Sequence, residues 1–356
     1  ALFSRRRLLV ILAVGIAGNL VYTLLATDQA ALAASLELAP AWLLLAALLA
    51  LAPLVCNALR VWRWGRLLDP GFGLRDAWRV VLAAEVGAAV TPSAAGGAPL
   101  KVAALARLGL GTSGGAALAA VGTLEDATVM ALTIPAAAMA TGLLPRLAEL
   151  LRQASDAVIP GQGLLVLAGV VAVALAIGWL LLRGGRGRRR RVRLRRWWRE
   201  LRQHAALIRR RGLRVFLGNC LLASLQWSAR LSIVTALAAG LGAALEPVRA
   251  AVLQWLCFTG MALVPTPGAV GGAEAAFLLV FAHELPDGLL PLTLAAWRLV
   301  SFYGLSALAL VLLLALSSRP LSRRAAARAP ASARPRGRRR RGTATASGGA
   351  GPPATR

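Results

Sequence analysis

The chain has 356 residues, 58% of them hydrophobic, and a formal net charge of +27. Soluble domains spread roughly 25% charged residues over their surface; here 15% are charged and they come in blocks, separated by apolar runs long enough to cross a hydrocarbon core of about 30 Å at ~1.5 Å per residue. A soluble enzyme, a secreted disulfide scaffold and a disordered basic protein are excluded, and a polytopic all-α membrane protein is expected.

In chain order, the first apolar run, 8–25, follows Arg5-Arg6-Arg7 and reads as a crossing rather than a cleaved signal peptide. The second, 38–59, ends in Arg60-Val61-Trp62-Arg63-Trp64-Gly65-Arg66. A less regular region, 77–108, is broken at Thr91-Pro92-Ser93-Ala94-Ala95-Gly96-Gly97-Ala98-Pro99. Runs at 113–144 and 163–182 follow, and then fifteen arginines against one acid, Glu200, between Arg183 and Arg214. A further span covers 213–241. The region 250–282 is again broken, at Pro265-Thr266-Pro267-Gly268-Ala269-Val270-Gly271-Gly272, and the last span is 289–316. From Arg319 the tail is rich in Arg, Pro and Gly, holds no acidic residue, and is expected to be a disordered basic segment, 319–356.

Arginine placement predicts orientation, because basic residues near span ends stay on the cytoplasmic side. The N-terminus, the Arg60–Arg66 turn, the basic loop 183–213 and the tail are all expected inside, which requires each broken region to enter and leave on one face. Their arms, roughly 11 to 15 residues or about 16–22 Å, are too short to span. The expected architecture is six full transmembrane helices plus two re-entrant helical hairpins, forming one membrane domain, 1–318, with both termini cytoplasmic in a plasma or inner membrane.

The hairpin tips are alike: the eight residues from Thr91 match the eight from Thr266 at six positions, the Thr-Pro and Gly-Gly pairs at equal spacing. The first tip enters from inside and the second from outside, so the segments 38–144 and 213–316 read as an inverted repeat, an arrangement of secondary transporters in which broken helices meet near the midplane. Proline removes a helical N–H and glycine lets backbone turn and approach closely. Pro92, Gly96, Gly97, Pro265, Pro267, Gly268, Gly271 and Gly272 are therefore candidate site residues, with tight helix packing as the alternative.

Ionisable residues in apolar spans mark a functional site by default: Glu85, Lys101, Glu125, Asp126, Arg230, Glu274 and Arg298. Glu125 lies 33 residues after Pro92 and Arg298 lies 31 after Pro267. A pair between them across the pseudo-two-fold is expected, with a purely structural buried ion pair as the rival. Trp62 and Trp64 beside Arg60, Arg63 and Arg66 suit an interfacial belt, or a lipid phosphate held by arginine's fork. Cys56, Cys220 and Cys257 stand singly, so no disulfide framework is implied, and His204 and His283 have no second ligand at metal spacing. No metal, no cofactor and no enzymatic activity are expected. The arginine blocks lack a nucleic-acid recognition module, and the expected partners are membrane lipids with anionic head groups; homo-oligomerisation is left open.

With those residues in place, the chain resembles the flippase-like transmembrane region of lysylphosphatidylglycerol synthases and related stand-alone membrane proteins. The most specific match runs from Pro265 to Phe277, close to the family's PTPGGxGxxEAAF stretch. Arg60-Val61-Trp62-Arg63-Trp64, the Thr91 tip with Lys101, Glu125 and Trp297-Arg298 also fit. Ala98 stands where the family often has an acid, and Asp126 where it often has arginine. The resemblance implies movement of lipids or lipid-linked groups between leaflets, without the soluble aminoacyl-transferase domain. An anionic phospholipid or polyprenyl-phosphate carrier is the expected cargo, met by Arg298, Arg230 and Lys101, with Glu125 and Glu274 neutralising them in the empty state. The alternative is a non-transporting scaffold or regulator of a lipid or cell-envelope enzyme.

Overall fold

The computed structural model describes residues 40–91, 95–145, 148–149, 152, 185–262, 266, 269–286 and 288–317, and the described residues contain helices and no strand. The predicted crossings 8–25 and 163–182 and the basic tail lie outside them.

Four helical runs are long and apolar enough to cross a membrane: Pro40–Leu68, Gly97–Ala140, Leu213–Gly240 and Leu290–Leu316. They coincide with the other four predicted crossings. Helix α1 (Pro40–Leu68) carries Pro53 inside it. Short helices α2 (Leu74–Ala89) and α3 (Gly97–Leu105) flank the first tip. The long α4 (Gly111–Ala140) follows α3 through a π-helical segment, Ala106–Leu110, in which Gly109 takes φ 102°. The second arm of the first broken region therefore runs on into the next crossing, where the sequence suggested a break. Only glycine adopts that φ without a steric penalty, so the kink rests on Gly109.

The basic segment forms a helix, α5 (Gly185–Arg211), joined through Gly212 to α6 (Leu213–Leu231) and α7 (Ile233–Gly240). The second pair of short helices is α8 (Pro247–Ala262) and α9 (Gly272–Phe281). Helix α10 (Leu290–Arg298) passes through a second π-helical segment, Leu299–Gly304, into α11 (Leu305–Ser317).

Alanine-rich composition has a packing consequence. Between apolar helices in lipid, association comes from close van der Waals contact, which small residues permit. Ala46 and Ala50 of α1, Ala238 of α7 and Ala273 of α9 are all buried in one cluster with Phe277, Phe281 and Trp297. A second cluster joins the other half of α1, through Ala58, Val61 and Trp64, to Val80 and Val81 of α2, Leu105 of α3 and Leu118 of α4. Helix α1 thus belongs to both halves of the core. On α6 the same logic sorts residues by face: Leu213, Leu217, Leu221 and Leu225 form an exposed i, i+4 stripe, while Asn219, Ala223 and Gln226 are buried.

Three basic segments gather at one end of the bundle. Gly212, which follows α5, packs on the Trp64 ring, and Ser113 at the start of α4 donates to Glu200 of α5. Arg79 near the start of α2 donates to the Leu316 carbonyl at the end of α11. Helix pair α2–α3 therefore begins and ends at this basic end. The second pair begins and ends at one place too, because Arg249 in the first turn of α8 binds Glu284 just past α9 at 2.8 Å. Glu200 is held below the ordinary carboxylate range by hydrogen bonds, first from Arg196 and then from Ser113.

Candidate functional site

Two charged centres form inside the bundle. The first is built on Arg60, which α1 carries to the interface with α4 and α6. Only 3% exposed, it must satisfy its guanidinium within the protein, and it does so at nearly every donor. Nε lies 2.9 Å from Glu125 Oε2, Nη1 2.8 Å from Asp126 Oδ1 and 3.1 Å from Gln226 Oε1, and Nη2 2.9 Å from the Gly122 carbonyl. Glu125 is fully buried and takes a second donor, the Trp64 indole N–H. Trp64 stands one helical turn after Arg60, so both point to one face. Lys101 of α3 lines a void of about 10 Å³ with Arg60 and Glu125. Two basic side chains and the Glu125 carboxylate thus meet at one small void, with the part-exposed Asp126 on the outer side of Arg60, an arrangement that makes a buried charge tolerable.

The second centre is built on Arg298, 1% exposed at the end of α10. Its Nε donates to Glu274 Oε1 at 2.8 Å. Glu274 is the third residue of α9, and its other oxygen accepts the Gly271 N–H at 2.7 Å. One carboxylate therefore caps a helix N-terminus and neutralises a buried arginine. The π-helical turn after Arg298 sets Phe302 and Tyr303 against its guanidinium, with ring centroids 4.6 and 5.2 Å away; such turns recur at functional sites.

Beside this centre lies a cavity of about 240 Å³, with Glu85 and Ala88 from α2, Arg230 from α6, Ala269 from the second tip, and Trp297 and Arg298 from α10 in its walls. Both broken regions reach it. Arg230 lies 5.7 Å from the Trp227 and Phe258 ring centroids and forms no ion pair among the described residues. The Trp297 indole N–H is buried and has no hydrogen-bond partner among the described residues. Trp227 connects the Arg60 centre to the cavity, since its Nε1 donates to Asp126 at 3.1 Å while its ring faces Arg230.

The tips are closed by their threonines. Thr91 Oγ1 donates to the Gly87 carbonyl and accepts the Gly96 N–H, and Thr266 Oγ1 donates to the Val270 carbonyl. Gly96 has no room for a side chain: a Cβ there would stand 2.5 Å from the Thr91 methyl and 2.8 Å from the Gly87 carbonyl. A Cβ on Gly97 would meet Ala84 and Ala88 at 3.3 Å. Gly271 differs, for nothing lies near its missing Cβ; φ +84° is what requires glycine there. Gly272 is buried as the first residue of α9.

The expected Glu125–Arg298 pair does not form. Each pairs within its own half, Glu125 with Arg60 and Arg298 with Glu274, because α1 packs between α4 and α6 and brings Arg60 to Glu125 first. Lys101 joins the Arg60 centre rather than the cavity. Arg63 packs against Gly218 of α6, where a Cβ would come within 2.5 Å of its guanidinium, and Arg66 sits over Trp62 at 5.3 Å. Pro92, Pro265, Pro267 and Gly268 lie outside the described residues. Sequence reasoning missed Gln226 and Trp227 and read Trp64 as part of an interfacial belt or phosphate cluster, whereas Glu85, which it singled out, lines the cavity. A polar Gln226 in an apolar span and a tryptophan at i+4 from Arg60 were the available signals.

The model of the lysylphosphatidylglycerol synthase TM region matches residues 9–309. The chain belongs to that family. Among curated proteins, none matches it. As a member of the family it is a membrane protein with a lipid-related role, and Arg60, Lys101, Glu125, Glu274 and Arg298 all fall within the matched range.

Proposed function

We propose that this protein moves a lipid with an anionic head group, a phospholipid or a polyprenyl-phosphate-type carrier, between leaflets through the cavity bounded by the two broken regions. The observation that carries the reading is Arg230, a cation inside the cavity with no carboxylate partner among the described residues. A bare charge at membrane depth costs about 2.5–3.5 kcal/mol on insertion scales, a cost that an incoming phosphate would offset. The Trp297 N–H offers a second donor, and Arg298, already balanced by Glu274, would supply charge as that pair loosens. In this reading the two short helix pairs are re-entrant hairpins related by an inverted repeat. The basic end faces the cytoplasm of a plasma or inner membrane, both termini lie inside, and the protein carries out no enzymatic reaction. Support comes from the way each pair returns to the end it left and from the α2 arm of the first broken region and Ala269 of the second tip lining one cavity.

Purified protein in proteoliposomes should scramble labelled anionic lipid faster than protein-free vesicles. Arg230→Ala should fall to the protein-free rate while remaining folded. Arg230→Lys should recover part of the activity, since lysine keeps the charge and lacks the bidentate fork. Wild-type protein that moves no lipid across a panel of head groups, with or without an ion gradient, would leave the scaffold reading standing.

A further inference from the structure

Away from the cavity, at the basic end, an apolar groove of about 560 Å³ opens between α4, α5 and α6. Ala117, Ala120 and Leu124 form one wall, Ala205 and Ile208 another, and Phe216 a third. Trp64 lies at its floor, and the charged group in its lining is Arg209, exposed at the rim. The volume falls within the roughly 300–1,000 Å³ of ordinary ligand sites. We infer that the groove holds one acyl chain of an anionic phospholipid, with the lipid phosphate on Arg209, as a resident lipid distinct from any lipid in the Arg230 cavity.

Charge selects this occupant. Helix α5 carries thirteen arginines against the single acid Glu200. A second copy of the chain docked here would bring two such helices together, and like charges at close range repel. An acidic peptide would satisfy the arginines and leave the apolar walls unfilled. A phospholipid does both, since its chain covers the walls and its phosphate takes the arginine fork.

The position gives the lipid leverage. The Trp64 ring that floors the groove is the one whose N–H holds Glu125 in the Arg60 centre. It also packs on Gly212, where a Cβ would come within 2.7 Å of the ring, at the joint between α5 and α6. An acyl chain in the groove therefore braces the basic helix against the bundle and fixes the indole that orients Glu125.

The test is native mass spectrometry of the full chain released from detergent micelles containing dioleoyl phosphatidylglycerol or dioleoyl phosphatidylcholine. Wild-type protein should retain phosphatidylglycerol with about fivefold preference, the size one arginine near an anionic surface provides. Ala120→Trp fills the groove from an exposed wall position and should lose the retained lipid without changing the melting temperature in lipid-free micelles. Arg209→Gln should keep a lipid and lose the preference. Equal retention of both lipids by wild type, or undiminished retention by Ala120→Trp, overturns the assignment. Lipid lost in Arg230→Ala instead would assign it to the cavity, and a dimer abolished by Ala120→Trp would assign the groove to a second copy. Scrambling is not read in this experiment, so its failure and that of the transport reading are separable.

Discussion

Arg60 is where the cost of a buried charge is met most completely. Its donors reach Glu125, Asp126, Gln226 and the Gly122 carbonyl, so truncation would strand the fully buried Glu125 carboxylate, while the part-exposed Asp126 keeps the Trp227 N–H. Breaking a buried pair from one side costs about 3–5 kcal/mol. Arg60→Ala is expected to lower the unfolding free energy of the detergent-solubilised protein by that order, and Arg60→Lys to recover less than half, because an ammonium cannot reach four acceptors at once. Denaturant or thermal unfolding measures both. An Arg60→Ala protein as stable as wild type would mean that the cluster is not closed as described. That Glu125, Asp126 and Arg298 are charges inside apolar runs was legible in the sequence, because an ionisable group there stands out by itself. Which acid meets which base was not. Glu125 and Arg298 sit at similar offsets from Pro92 and Pro267, but offset along a chain says nothing about α1, which brings Arg60 to Glu125. Asp126 likewise reads as a departure from the family pattern and proves to be a working member of the Arg60 centre.

At the scale of elements, the repeated tip motif uses its glycines for different reasons. Gly96 is confined by the Thr91 side chain and the Gly87 carbonyl, whereas Gly271 stands in open space at φ +84°. The two positions should therefore respond differently to the same substitution. Gly271→Asn meets no neighbouring atom, but φ +84° with ψ −48° lies outside the left-handed helical region that asparagine tolerates, so its cost is backbone strain alone, about 1–3 kcal/mol. Gly96→Asn must displace backbone and should lower the melting temperature far more. Thermal unfolding of the two variants side by side decides it, and equal losses would contradict the steric account. The crowding at Gly96 comes from its own turn, through Thr91 and Gly87, while at the second tip Gly271 is open and Gly272 is buried. Backbone conformation is written in neither Gly-Gly pair, and only the fold distinguishes them. Apolar runs long enough to span were the most legible elements, since length and hydropathy decide them without tertiary contacts. The continuity of α3 into α4 was not, because a kink at Gly109 inside a helix and a turn between two helices look alike in one dimension.

For the whole molecule, charge asymmetry and chain path have to agree. The Arg66 turn, α5 and the end of α11 meet at one end, while the Arg249–Glu284 pair closes the second broken region elsewhere. The positive-inside rule predicts that the arginine-rich end faces the cytoplasm. Single cysteines placed in a background with Cys56, Cys220 and Cys257 replaced by alanine would report this in sealed vesicles. Gln203→Cys, on the exposed face of α5, should react with an impermeant maleimide only from the inner side, and Pro286→Cys, exposed past α9, only from the outer side. Ala95→Cys is the decisive position. It is exposed on the surface of the protein at the first tip, and if that tip enters from inside and stops within the bilayer, the probe in the outer solution cannot reach it. Two short helices that turn back before the far face require this protection, because nine residues of α3 rise only about 14 Å. Reaction of Ala95→Cys from outside as fast as Pro286→Cys would place the tip at the outer surface, make the pair α2–α3 a full crossing in each direction, and sink the re-entrant reading of the first broken region on which the transport reading depends.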